Sequence, residues 1–297
     1  MRHRNKIKNM RVVSCLIVGL MTSLFVLGFS NSLNADGFTS HKGRFWKPKP
    51  VSCGDEITTY AFLTTDLDCS EHDGTALTLY EGAKLNLNGK KIIGNFGINC
   101  IDIRGNGTMI WHGTVTQCDY GIRVRSDRNQ IISVEVSDSA DRGIRIDGDK
   151  NLVMNCRVAH NGTQGIKINE GNRNKIFSNR VFGNCRDGIE IEEGNYNRVL
   201  YNHVADNGNE DTCSAFEEDY RPWFYAGIDV LSGSKNNKIK YNSACGNLGC
   251  TGSSDFPCPA RERNFWDENL DNRGYCDSPN EWANNTVCPE CNPNPKD

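Results

Sequence analysis

The strongest constraint on this 297-residue chain is a phrase that returns at nearly even intervals. It reads Gly121-Ile122-Arg123-Val124, Gly143-Ile144-Arg145-Ile146, Gly165-Ile166-Lys167-Ile168, Gly188-Ile189-Glu190-Ile191 and Gly227-Ile228-Asp229-Val230, at intervals of 22, 22, 23 and 39 residues. Two further columns keep step. Asn129, Asn151, Asn174, Asn197 and Asn237 each precede an Ile or Val by two residues, and Val136, Val158, Val181, Val204 and Ala244 form a third set. Each segment alternates inward apolar with outward polar residues and is too short for a helix, so one coil holds three short strands. Equivalent residues recur once per coil without reversing direction, which makes the strands parallel and the winding right-handed. A fixed period on this scale marks a solenoid, whose coils bury a core only by stacking. The expected fold is an all-β, right-handed parallel β-helix over residues 76–248. Glycine ahead of the first strand is expected to serve a positive-φ corner. Columns such as Asn179, Asn202 and Asn242 are expected to hydrogen-bond from coil to coil.

The ends read differently. A basic stretch followed by an apolar run from Val12 to Phe29 marks residues 1–35 as an export signal, expected to be cleaved so that no membrane span remains in the mature chain, with an uncleaved anchor as the alternative. Residues 36–75 are expected to form a linker and N-terminal cap closed by a Cys53–Cys69 disulfide. Residues 249–297 read as a cysteine-rich C-terminal cap, with Cys288 and Cys291 in a structural bridge. Fourteen cysteines in an exported chain point to an oxidising compartment, secreted or periplasmic. Cys156 and Cys185, inside the repeats, are expected to stay reduced. A formal net charge of −3 removes the global attraction for nucleic acid, so a charged partner must be met locally.

With the Gly-Ile-x-Ile repeats, Cys53-Gly54, Leu67-Asp68-Cys69 and Leu85-Asn86-Leu87-Asn88-Gly89 in view, residues of about 51–250 resemble the pectin-lyase-like superfamily of right-handed β-helices. They look most like exported β-helix-repeat proteins grouped as carbohydrate-binding and sugar-hydrolysing domains. That resemblance implies a carbohydrate partner without naming a reaction, because the motif sets of polygalacturonases and alginate epimerases are absent.

An extended polymer suits the outward side of the Gly-Ile-x-Ile strand, which reads Arg123, Arg145, Lys167, Glu190 and Asp229 down the stack. Adjacent coils lie about 4.8 Å apart, so Glu190 and Asp229 become neighbours. Their repulsion is relieved by protonating one carboxyl, by Lys167, or by a bridging cation such as calcium. Such a pair also fits one glycosidase geometry. Glu190, Asp229 and Lys167 are the catalytic candidates; Arg123, Arg145 and Glu192 are candidates for substrate binding. The 39-residue interval carries an insertion of about 17 residues, and solenoid insertions emerge as loops on one face. Its Tyr220, Trp223 and Tyr225 are placed to stack on sugar rings, and Arg221 to hold a carboxylate. The expected function is exported binding of an acidic polysaccharide, with modification by cleavage or epimerisation left open. A non-catalytic structural or adhesive solenoid is the alternative.

Overall fold

The computed structural model describes residues 50–208, 225–249, 261–262, 264–267 and 280–287. Among them every regular element is a strand. The Gly-Ile-x-Ile segments stack in parallel as one nine-stranded sheet, from Asp55–Ile57 through Ile122–Val124, Ile144–Ile146, Ile166–Asn169, Ile189–Glu192 and Ile228–Val230 to Phe265–Asp267. The second and third strands of each coil belong to a sixteen-stranded sheet. In two coils they fuse into eight-residue strands, Met109–Thr116 and Gln130–Ser137, with φ of 60° at His112 and 54° at Ser133. Strand pairing extends on both sides of residues 76–248. Asp55–Ile57 pairs with Leu77–Leu79, and Phe265–Asp267, Glu281–Ala283 and Thr286–Val287 continue the columns downstream. The export signal and the Cys288–Cys291 pair lie outside the described residues.

Burial follows the two-residue period. Ile122, Ile144, Ile166, Ile189 and Ile228 are fully enclosed, as are Val136, Val158, Val181 and Val204. Each such side chain contributes roughly 1.5–3 kcal/mol by leaving water. The repeated glycines act through close approach and not through the expected positive φ, which none of the five adopts. A Cβ on Gly188 would sit 2.3 Å from Val204 Cγ1 and 2.7 Å from the Gly227 carbonyl oxygen.

Asparagine ladders close the corners. The Asn129 backbone N–H donates to Asn151 Oδ1, Asn151 to Asn174, Asn174 to Asn197 and Asn197 to Asn237, at 2.7–2.8 Å. A second ladder runs from the Cys156 N–H through Asn179, Asn202 and Asn242. These amides are buried, and each satisfies a backbone donor that the turn leaves unpaired.

Two disulfides lie toward the N-terminal end. Cys53–Cys69 closes the first coil as expected, and Cys100–Cys118, with Cα atoms 5.6 Å apart, closes the third. Cys100 stands in the glycine column: the following residue, Ile101, donates its N–H to the Gly121 carbonyl. Cys156 keeps its thiol, which burial pushes up to about 11.

Candidate acid–base site on the first sheet

Parallel register brings the outward residues of the first sheet into one row. Asp102, Arg123, Arg145, Lys167, Glu190, Asp229 and Trp266 are successive partners. Glu190 and Asp229 are therefore neighbours, one strand spacing of about 4.8 Å apart. Both alternate outward from the enclosed isoleucines, yet they are only 4 % and 3 % exposed, and Lys167 is 7 % exposed. An open row of solvated charges is thus replaced by a buried polar cluster.

Side-chain partners account for the burial. Lys167 Nζ lies 2.7 Å from Glu190 Oε1 and 2.5 Å from Glu192 Oε2, and Gln164 Nε2 donates to Glu190 Oε2 at 2.6 Å. A carboxylate withdrawn from water is tolerated when it is paired and hydrogen-bonded in this way.

A third carboxyl, which the strand pattern did not single out, completes the cluster. Asp187 precedes Gly188 and stacks in a corner column with Arg142, Gln164 and Ala226, defined by the glycine N–H groups donating to the carbonyls one coil on. The Ala226 N–H donates to Asp187 Oδ1 at 2.6 Å. Asp187 is 3 % exposed. Burial raises its pKa well above the usual carboxylate range, and the negative charges of Asp229 and Glu190 raise it further. A side-chain hydrogen bond with Glu190 raises it as well. Lys167 thus meets two carboxylates, those of Glu190 and Glu192, while Asp187 and Asp229 adjoin Glu190.

Upstream, the arginines are already engaged. Arg145 Nε meets Asp147 Oδ1 at 2.7 Å and Arg123 Nε meets Asp147 Oδ2 at 3.4 Å. Arg104 and Arg125 both donate through Nε to buried Asp102 at 2.9 Å. Four guanidinium groups thus share the carboxylates of Asp102 and Asp147. At the opposite end Trp266, 36 % exposed, takes the register position after Asp229. Its strand lies within residues 249–297, expected as the C-terminal cap, and is preceded by Asn264 instead of glycine.

Tyr225 is buried, with the Arg186 guanidinium 5.8 Å from its ring centre. Tyr220, Arg221 and Trp223 lie outside the described residues. Among the described residues, no group of three or more His, Cys, Asp or Glu side chains is disposed to hold a metal ion. The cation that meets Glu190 is Lys167.

Comparison with known proteins bears on the fold. Residues 99–256, just over half of the chain, match the family described as right handed beta helix region. The Dettilon tailspike protein is 15 % identical with a TM-score of 0.52, over 73 % of this chain and 55 % of its own. Tailspike protein 2 from Escherichia coli O157:H7 bacteriophage CAB120 is 12 % identical with a TM-score of 0.51, over 78 % of this chain and 38 % of its own. An alginate lyase from Paenibacillus is 16 % identical with a TM-score of 0.48, over 79 % of this chain and 95 % of its own. The chain therefore spans about half or less of either tailspike. No curated protein matches it by sequence.

Proposed function

The chain belongs to the right handed beta helix family, and from that premise we propose that it is an exported protein that binds an acidic polysaccharide along the first sheet and modifies it by acid–base catalysis. The observation that carries this reading is the enclosure of Asp187, Glu190 and Asp229, with Lys167 paired to Glu190. A buried carboxyl whose pKa is raised by its neighbours, as at Asp187, costs stability, and catalytic groups are where such a cost is commonly retained.

In this reading the Asp187–Glu190 pair holds the proton that passes to the glycosidic oxygen of the leaving sugar. Asp229 is the complementary base. It deprotonates an attacking water in hydrolysis, or takes the proton beside a uronate carboxyl in elimination; both reactions need one protonated and one ionised group. The Arg123 and Arg145 row holds substrate carboxylates, and Trp266 offers a ring face for a sugar. Disulfides at Cys53–Cys69 and Cys100–Cys118 support an oxidising compartment.

A polyuronate panel, read for new reducing ends and for the absorbance of unsaturated products, tests the proposal. Product from at least one acidic polymer is the expected result. The low exposure of Glu190 and Asp229 favours a non-catalytic adhesive solenoid as the second reading, and retention on a polymer with no product of either kind would establish that one.

A further inference from the structure

The second-strand face carries a charge pattern that the acid–base site does not use. Lys175, Arg198 and Lys238 are direct register partners on adjacent parallel strands and all three are exposed. Like charges placed opposite one another weaken a sheet. Lys238 meets Glu281 at 3.3 Å, whereas Lys175 and Arg198 make no ion pair among the described residues.

Aromatic side chains adjoin this row. The corner that follows the strand holds Tyr201 and Tyr241, 51 % and 46 % exposed, stacked with ring centres 4.9 Å apart and planes 7° from parallel. Their φ values are 59° and 58°, a region bulky residues seldom adopt, and the equivalent corners upstream use Ser133, Asn155 and Ser178. The rings therefore neither fill the core nor suit the backbone they occupy. On the other side of the row Arg173 lies 5.7 Å from the ring centre of exposed Tyr196.

We propose that this face is a second, non-catalytic binding site for an acidic polysaccharide. Carboxylates of the polymer meet the Lys175–Arg198–Lys238 row, which places one cation about every 4.8 Å along the solenoid axis, on the scale of one sugar ring. Sugar hydroxyls meet the edges and phenolic groups of Tyr201 and Tyr241. A single-stranded nucleic acid needs open aromatic faces for its bases, and here the two rings cover each other. The site is built from different residues than the acid–base cluster and stands whether or not that cluster turns substrate over.

Binding of the full chain to polygalacturonate, alginate, neutral dextran and single-stranded DNA, each at low and high salt, provides the test. The variants are Lys175→Gln with Arg198→Gln, Tyr201→Ser with Tyr241→Ser, and Lys84→Gln. The wild type is expected to bind the two acidic polymers and not dextran, and more weakly as salt rises. Each double variant should lose about tenfold in affinity at a melting temperature no lower than the wild type's, while Lys84→Gln, an exposed second-strand position outside both sites, binds as the wild type does. Product release from a short oligosaccharide, read in the same variants, should survive both double substitutions, so this site and the catalytic reading fail separately. Three results would each overturn the proposal: no retention of the wild type on either acidic polymer, unchanged affinity in both double variants, or tighter binding to DNA than to the polyuronates.

Discussion

The raised pKa of Asp187 has a consequence for stability. Its pKa in the folded chain lies above the ordinary value of 3.8, raised by burial and then by Asp229 and Glu190. Folding therefore takes up a proton as pH rises past about 4. The stability this group contributes is complete below its unfolded pKa and is lost as pH rises through the folded one. Asp187→Asn keeps an acceptor for the Ala226 N–H and a donor for Glu190 while removing the ionisation. The variant is expected to be more stable than the wild type at pH 7 by about 1 kcal/mol or more, with the two melting curves converging toward pH 4. Thermal denaturation across that range checks it. Glu190, Asp229 and Lys167 were legible in the sequence because they share a strand column with a fixed period. Asp187 was not, because it occupies the corner before the glycine, where alternation says nothing about direction. Tabulating that corner as its own column, Arg142, Gln164, Asp187 and Ala226, would have exposed it.

Strands of three or four residues hold their register through the corners. Asn202 illustrates this: its Oδ1 accepts the Asn179 N–H at 2.9 Å, and its Nδ2 donates to the Ile176 carbonyl at 2.9 Å and to Asn242 Oδ1 at 3.0 Å. Asn202→Ala takes away the acceptor shared by the Asn179 N–H and Nδ2 inside the core, while Asn242 Oδ1 keeps the Asn202 backbone N–H. A loss of about 2–3 kcal/mol is expected in denaturant unfolding, whereas replacing exposed Asn155 at a neighbouring corner should cost far less. These ladders and the three-strand coil followed from the repeat alone. The work done by the glycines did not, since Gly188 meets its neighbours through contacts between coils that no local pattern reports. The strand at Phe265–Asp267 escaped for a related reason, Asn264 standing where earlier coils have glycine.

Across the whole solenoid, coupling runs from each coil to the next, so a constraint at one end acts mainly there. Both disulfides among the described residues fall between Cys53 and Cys118, closing loops with sequence separations of 16 and 18. Loops of that length gain about 3 kcal/mol each from closure. Reduction is expected to raise hydrogen exchange in residues 55–118 and to leave Ile166–Ile191 protected, which peptide-level exchange would read directly. The same independence lets the acid–base cluster occupy a few adjacent coils without disturbing the rest. Its chemistry is the central claim, and one measurement reaches it most directly: the initial rate of product formation from an acidic polysaccharide by the wild type and by Asp187→Asn. A loss of about 10²–10⁴-fold in the variant, with its stability at neutral pH equal to or above that of the wild type, is the predicted result. Equal rates from the two proteins would contradict the account.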